Sequence, residues 1–199
     1  MKSTNEIRNE IEHLVNQFAQ IEFEEKKFKP GETTVPAAGK VIGESELQYM
    51  VSAALDGWLT TGRFNEKFES ELASFIGINH LITVNSGSSA NLVAFSTLTS
   101  TKLGERAIKK GDEVIGVAAG FPTTVNPIVQ FGAIPVFVDI EPDTYNINAS
   151  LIEGAITEKT KAIIPVSLFG QPPDLDAIQL IADKNNLKVI IDGAQSFGS

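Results

Sequence analysis

From residue 81 onward the sequence alternates short apolar runs with stretches of helical periodicity. The apolar runs predicted as strands cover residues 81–84, 113–118, 135–139, 162–167 and 188–192. The helices predicted between them cover residues 89–97, 124–131, 149–155 and 175–185. This alternation is typical of a mainly parallel sheet with crossover helices, and the lack of polar alternation within 114–118 indicates a strand covered on both faces. The predicted fold class is α/β, a mainly parallel sheet with covering helices.

The first part of the chain has a different pattern. Apolar residues recur at spacings of three and four between residues 5 and 24, which predicts an amphipathic helix. Residues 26–39 contain two prolines and two glycines and are predicted to form an extended arm. Two further helices are predicted at residues 44–58 and 65–76. We therefore divide the chain into N-terminal helices with an arm, residues 1–58, and a large domain, residues 59–199.

Charge and composition exclude several classes of protein. The formal net charge is −9, and Lys and Arg form only short pairs, so a nucleic-acid surface is not predicted. There is no cysteine, which excludes a disulfide framework and a cysteine-based zinc site within these residues, and no metal site is predicted. No run approaches the roughly 20 apolar residues of a membrane span, and the first residues do not resemble a signal peptide, so a cytoplasmic location is expected.

A serine-rich turn follows the first predicted strand and precedes a helix. It reads Asn-Ser-Gly-Ser-Ser over residues 85–89. Free backbone N–H groups and the helix dipole favour an anion at a helix N-terminus, and the hydroxyls of Ser86, Ser88 and Ser89 can add donors. The alternative is structural, with Ser88 or Ser89 simply capping the helix. The functional interpretation predicts a phosphate site here.

Two other strand ends have side chains that suit a ligand. Phe121 follows the second predicted strand, where its ring could cover a planar group, although a Phe packed in the core is the ordinary alternative. Asp192 closes the last strand, and a buried carboxylate requires a partner, either a protonated heterocyclic nitrogen or backbone N–H groups. A phosphate site, an aromatic cover and a carboxylate together describe pyridoxal 5′-phosphate (PLP), whose ring nitrogen an Asp keeps protonated.

Several segments resemble the DegT-type family of PLP enzymes that modify nucleotide-linked sugars, a branch of the aspartate-aminotransferase fold. The segments are residues 60–63 with 68–69, 85–90, 111–115, 135–139 and 192–196. The resemblance implies that Gly87, Ser88 and Ser89 bind the phosphate and that Phe121 covers the ring. It also implies that Asp192 meets the ring nitrogen and that Gln195 lies near the ring hydroxyl.

Two subgroups of that family compete. Residues 58–63, 86–92 and especially 119–127 look like the 3-dehydrases of CDP-4-keto-6-deoxyglucose, whereas residues 166–198 look more like the sugar aminotransferases. The resemblance therefore implies C3 dehydration of a nucleotide-linked 4-keto-6-deoxy sugar in cell-surface polysaccharide (O-antigen) biosynthesis, with PLP or pyridoxamine 5′-phosphate (PMP) as cofactor. A PLP-dependent sugar aminotransferase is the first alternative. A Rossmann-like nucleotide-binding module is weaker because no Gly-x-Gly-x-x-Gly is present, and a non-catalytic scaffold remains a further alternative.

The residue that separates the subgroups is a Schiff-base lysine or a histidine in its place, and the resemblance puts it beyond Ser199. We therefore expect the catalytic residue and a small C-terminal domain to lie outside these 199 residues. His13 and His80 are not substitutes. The family also implies a homodimer, in which the arm at residues 26–39 is a candidate for reaching the neighbouring subunit.

Overall fold

The computed structural model describes residues 1–23, 27–36 and 39–197. The described ranges leave out residue 24 at the end of the first predicted helix, residue 25, residues 26, 37 and 38 of the predicted arm, residue 198 at the end of the 166–198 segment, and residue 199. Contacts between Cα atoms divide the chain into two compact units, Met1–Thr83 and Val84–Ser199. The domain division that we expect from the sequence, 1–58 and 59–199, stays a prediction. No helix in the described ranges has the length and apolar character needed to cross a membrane.

The first unit contains three helices: α1 at Thr4–Glu22, α2 at Glu44–Leu55 and α3 at Arg63–Ile76. Helix α1 begins with a capping box, because the Ser3 hydroxyl accepts the Glu6 N–H while the Glu6 carboxylate accepts the Ser3 N–H. It packs against α2. Helix α3 ends at Gly77, whose φ of 72° is the left-handed conformation common after a helix. All three predicted helices are confirmed, with ends shifted by up to three residues.

The second unit has a four-stranded parallel sheet. Its strands are β1 at Glu113–Val117, β2 at Ile134–Val138, β3 at Thr160–Ile164 and β4 at Lys188–Val189, in the order β2-β1-β3-β4. Its helices are α4 at Gly87–Leu98, α5 at Pro122–Gln130, α6 at Ala149–Ala155 and α7 at Leu175–Lys184, and two short 3-10 helices lie at Thr101–Arg106 and Leu168–Gly170. The predicted α/β class with a parallel sheet is confirmed.

Helices cover both faces of this sheet, so β1 and β3 contribute alternate residues to two apolar cores. On one face Val114 and Ile164 pack with Phe95 of α4 and Ile128 of α5. On the other face, buried residues of β1, β3, α6 and α7 form the second core, which includes Ile115, Val117, Ile163, Ile152 and Ile178. β1 and β3 lack polar alternation because both sides of each strand face apolar helix surfaces.

Two predicted strands are shorter in the structure. Strand β3 ends at Ile164 rather than at residue 167 because Pro165 has no N–H to give to a ladder. Strand β4 covers two residues rather than 188–192, but the chain returns to β3 further on: Asp192 N–H donates to Pro165 O and Ser167 N–H donates to Asp192 O, both at 3.0 Å. The end of the sheet is therefore held by a separate bridge between Val166 and Asp192.

The strand predicted at residues 81–84 is wrong, because these residues are not in any ladder of the described chain. A side chain takes the place of a neighbouring strand: Glu69 of α3 accepts both the backbone N–H and the hydroxyl of Thr83 at 2.7 Å. Asn65 joins the same cluster by donating to Glu69 at 2.9 Å. These hydrogen bonds lower the pKa of the Glu69 carboxyl, and the bond from the Thr83 backbone N–H has the largest effect. Burial raises the pKa by a smaller amount.

Candidate cofactor site

The strand order creates a switch point between β1 and β3. From β1 the chain runs through α5 to β2 on one side, and from β3 it runs through α7 to β4 on the other. In open α/β sheets, ligands bind outside the carboxyl ends of the strands at such a point. The segment with Phe121 follows the end of β1, and Asp192 pairs with Val166 just past the end of β3. Phe121 thus follows one of the two strands that flank the switch point, and Asp192, which follows β4, is bridged to the segment that follows the other.

The serine-rich turn forms the start of α4. Ser86 is the N-cap, with an extended backbone, and its hydroxyl accepts the Ser89 N–H at 3.2 Å. The structural alternative that Ser88 or Ser89 caps the helix is therefore wrong. The cap falls on the last residue with extended backbone before the helix, and Ser88 and Ser89 are already in the first turn. The cap therefore falls on a different residue from Gly87, Ser88 and Ser89, the predicted phosphate contacts.

The same turn has room and donors for an anion. Within the described part of the chain the N–H groups of Gly87 and Ser88 have no acceptor, and neither does the exposed Ser88 hydroxyl. A Cβ placed on Gly87 would meet nothing within 4 Å, so the space beside it is open. Helix α4 is 12 residues long, and the dipole of such a helix favours negative charge at this end. These observations fit a phosphate group.

Phe121 is not a core residue, since 49% of its surface is exposed. It is the residue before α5, and Pro122 occupies the first helical position, where a missing N–H costs nothing. Gly120 suits the position just before it, because a Cβ there would lie 3.2 Å from Cγ1 of Val117, a tight contact that the Val117 side chain would have to shift to relieve. The ring lines a cavity of about 300 Å³ at the end of β1, together with Val117, Thr124 and Val166. An exposed ring beside a cavity fits the predicted role of a ring cover.

Asp192 is 7% exposed, and two helices bind its carboxylate. Oδ2 accepts from Nδ2 of Asn91 at 2.8 Å and from Oγ1 of Thr124 at 2.6 Å. Among the described residues, Oδ1 accepts only the longer bond from the Ala194 N–H, at 3.3 Å. Asn91 is on α4, which the serine-rich turn begins, and Thr124 is on α5, which Phe121 precedes. The carboxylate therefore joins the two helices whose N-termini contain the predicted phosphate contacts and the predicted ring cover.

Gln195 lies on the loop after Asp192 and is exposed. Its Oε1 accepts the Phe169 N–H at 3.0 Å, so its side chain is tied to the 3-10 helix at the end of β3. Phe169 has a φ of 53°, which is rare for a bulky residue, and Asn146 fixes the same loop by binding Leu168 and Gln171. The side-chain nitrogen of Gln195 has no acceptor within the described residues and can still donate to a ligand.

Asn91 and Thr124 are the residues that sequence reasoning missed. Both occur in segments quoted for the family resemblance, but no role was predicted for either. The available signal was their place in the helix, since Asn91 is about one turn into α4 and Thr124 lies in the first turn of α5. Their common partner is 101 residues from one and 68 from the other, which local patterns do not report.

The signature segments before residue 84 belong to the first unit. Arg63 donates to Asp56 through Nε at 2.8 Å and to the Ser52 hydroxyl at 2.8 Å, and its guanidinium stacks on Phe64. The hydrogen bond from Arg63 is the main cause of a lowered pKa of the Asp56 carboxyl. Arg8 of α1 also binds Asp56, at 3.3 Å. This cluster connects all three helices of the unit.

The parallel sheet with its switch point, and the groups placed at its carboxyl edge, define the large domain of the PLP-dependent transferase fold. The chain belongs to the DegT/DnrJ/EryC1/StrS aminotransferase family, whose model matches residues 40–199. The resemblance to this family inferred from the sequence is confirmed.

Individual relatives agree with this assignment. The chain is 56% identical over 197 residues to lipopolysaccharide biosynthesis protein RfbH of Salmonella typhimurium strain LT2, covering 99% of this chain and 45% of that protein. It is 45% identical over 178 residues to dTDP-4-dehydro-2,6-dideoxy-D-glucose 3-dehydratase of Saccharopolyspora spinosa, covering 89% of this chain and 38% of that protein. The chain thus spans less than half the length of the curated relatives it matches.

Among solved structures, the fold is similar to that of a GDP-4-keto-6-deoxymannose-3-dehydratase with a trapped PLP-glutamate geminal diamine. The TM-score is 0.78 at 33% identity, covering 83% of this chain and 42% of the other. At that identity the likeness extends beyond fold to family.

Proposed function

We propose that this chain is the cofactor-binding part of an enzyme that uses PLP or PMP to remove the C3 hydroxyl of a nucleotide-linked 4-keto-6-deoxy sugar. The observation that supports it most directly is the Asp192 carboxylate, which is buried at the carboxyl end of the sheet and bound by the helices of the serine turn and of Phe121. A buried carboxylate with one weakly occupied oxygen suits a protonated ring nitrogen. The 3-dehydratases among the similar proteins support the reaction type.

In this proposal each predicted residue has a defined task. Gly87, Ser88 and Ser89 bind the phosphate at the positive end of α4, through the backbone N–H groups of Gly87 and Ser88 and the hydroxyls of Ser88 and Ser89. Phe121 covers the ring and limits access of water to it, Asp192 holds a proton on the ring nitrogen, and the Gln195 amide donates near the ring hydroxyl. The bound cofactor would supply an electron sink for charge that develops beside the sugar carbonyl.

The similarity to a lipopolysaccharide biosynthesis protein leads us to place the enzyme in cell-surface polysaccharide synthesis, with O-antigen deoxysugars as the product class. We also propose a cytoplasmic location and a homodimer. Neither nucleic acid nor a membrane is a proposed partner. The sugar aminotransferase is the second candidate, favoured by the family description and by the sequence of residues 166–198, which contains Leu-Phe-Gly-Gln-Pro and Asp-Gly-Ala-Gln-Ser.

Product analysis of the complete protein tests the proposal. The protein is incubated with a nucleotide-linked 4-keto-6-deoxyhexose, cofactor and glutamate, and the sugar is analysed by mass spectrometry and NMR. We expect loss of the C3 oxygen with no nitrogen retained in the sugar. A 4-amino sugar would establish the aminotransferase instead, and absence of saturable PLP binding would favour the scaffold. Asp192→Asn, which removes the charge and replaces one acceptor oxygen by a donor at nearly the same volume, should lower turnover by about 100-fold or more if the ring proton matters.

A further inference from the structure

We propose that Thr124 and Asn91 are positioning residues that determine which oxygen of Asp192 meets the cofactor ring. This inference rests on the proposed function. It assigns Oδ2 to the protein and Oδ1 to the ring nitrogen. Neither residue touches the cofactor in this proposal, and both act through the carboxylate.

Hydrogen-bond capacity supports this assignment. A carboxylate oxygen has two in-plane lone pairs, and two short bonds, from Thr124 at 2.6 Å and from Asn91 at 2.8 Å, occupy those of Oδ2. Oδ1 has one long bond, 3.3 Å from the Ala194 N–H, and keeps an unused lone pair. A carboxylate with a purely structural role and 7% exposure would be expected to have both oxygens well bound. The imbalance between the two oxygens leaves Oδ1 for a further donor.

The backbone of Asp192 is fixed as well. Its N–H and C=O both bond to the chain beyond β3, at Pro165 and Ser167, so the side chain starts from a fixed Cα. The remaining freedom is rotation of the carboxylate, and the two donors to Oδ2 remove it. Thr124 is 5% exposed, so water has little access to the hydrogen bond between its hydroxyl and Oδ2 of Asp192.

The arrangement also explains why the two donors lie on different helices. Because Asn91 is on α4 and Thr124 is on α5, the carboxylate can be correctly placed only when both helices are. Those helices begin at the predicted phosphate contact and at the predicted ring cover. Loss of one donor should therefore affect the cofactor at its ring nitrogen without removing any group that contacts the cofactor.

The test uses the complete protein and PLP as the probe. Thr124→Val removes the hydroxyl at nearly equal volume, Thr124→Ser keeps it, and Thr123→Val is the matched control, because the Thr123 hydroxyl binds nothing within the described residues. Three readouts are compared: the Kd for PLP by absorbance titration, the 15N shift of a labelled pyridine nitrogen, and the melting temperature of the cofactor-free protein.

We expect Thr124→Val to weaken PLP binding about tenfold and to move the ring nitrogen signal towards its unprotonated position. The Kd for PLP of Thr124→Ser and of Thr123→Val should stay within about twofold of the wild-type value. Asn91→Leu should act in the same direction as Thr124→Val, and it decides the question if Thr124→Val does not fold.

Wild-type affinity and an unchanged ring nitrogen signal in folded Thr124→Val or Asn91→Leu would overturn the inference while leaving the proposed function intact. Failure of the wild type itself to bind PLP would instead refute the proposed function, so the two failures are distinguishable.

Discussion

At the scale of single residues, neighbouring side chains in the serine-rich turn have separable tasks. The Ser86 hydroxyl is used within the protein as the cap of α4, whereas the Ser88 hydroxyl has no partner in the described part of the chain. A hydroxyl that is already bonded contributes to stability, and one that is free contributes to ligand binding only. Replacing each serine by alanine, which removes one hydroxyl in both cases, can therefore distinguish the two tasks.

Ser86→Ala should lower the free energy of unfolding by about 1 kcal/mol, because the helix loses its cap. Ser88→Ala should leave the free energy of unfolding of the cofactor-free protein unchanged and weaken PLP binding by about fivefold, the effect of one lost hydrogen bond. Urea unfolding and absorbance titration measure the two effects. Equal loss of stability in both variants would contradict this division.

A second contrast concerns two phenylalanines. Phe95 is 1% exposed and packs against Phe131 in one of the two cores, whereas Phe121 is 49% exposed. We expect Phe95→Ala to cost about 3–5 kcal/mol of stability, since it leaves a cavity. Phe121→Ala should cost less than about 1 kcal/mol, as for most exposed positions, but should weaken PLP binding. Thermal unfolding of both cofactor-free variants checks the difference, and a large destabilisation by Phe121→Ala would indicate a packing role instead.

At the scale of elements, side chains in two places do what a strand or a turn would otherwise do. Glu69 replaces a neighbouring strand for Thr83, and Asn146, 4% exposed, holds the loop after β3 by accepting the Leu168 N–H at 3.3 Å and donating to Gln171 O at 3.1 Å. Both are polar side chains that satisfy backbone groups left over by the sheet. Each should be costly to replace.

Glu69 should make stability depend on pH. Its pKa is lowered in the folded protein from an ordinary 4.5, so the ionised carboxylate stabilises the fold above that value, and the contribution is lost as pH falls through the folded-state pKa. Glu69→Gln should be less stable than the wild type near pH 7, and the difference should shrink below pH 4.5. Unfolding curves across this range test it. Glu71→Gln, which removes an exposed carboxylate 3.8 Å from Lys67, is the control and should not show this trend.

Asn146→Leu should destabilise the second unit by about 2 kcal/mol, because it leaves the Leu168 N–H and the Gln171 carbonyl without their partner. Hydrogen exchange should then accelerate at Leu168 and in the rest of the loop at residues 167–171. The neighbouring Asn148→Ala removes only the cap of α6 and should cost about 1 kcal/mol without affecting that loop. Unchanged exchange at Leu168 in the Asn146 variant would contradict the assignment.

At the scale of the whole molecule, the two units expose more large apolar side chains than scattered surface positions account for. Helix α1 leaves Leu14, Phe18 and Ile21 more than half exposed, and Phe137 on the edge strand β2 is 53% exposed. Exposed apolar side chains that form a patch mark contacts with other protein. In keeping with the proposed homodimer, we expect sedimentation of the complete protein to give a dimer, and a monomer at high concentration would remove that proposal.

Local patterns in the sequence were sufficient to predict most elements. Helix α6 has the bounds expected from its periodicity, and β1 differs from its prediction by one residue, because apolar spacing and caps act over a few residues. The strand wrongly predicted at residues 81–84 also follows from the local nature of these patterns. An apolar run shows that a segment suits a strand, but only another segment can supply the ladder.

The sequence by itself determined the α/β alternation, the helix start that offers free N–H groups, and the presence of an acid at the end of the last strand. Only the tertiary structure decided the strand order β2-β1-β3-β4 and the meeting of Asn91, Thr124 and Asp192. The physical reason is distance along the chain. Periodicity, capping and turn chemistry depend on neighbours a few residues away, whereas the partners of the buried carboxylate are brought to it from 68 and 101 residues away by packing of helices on both faces of the sheet.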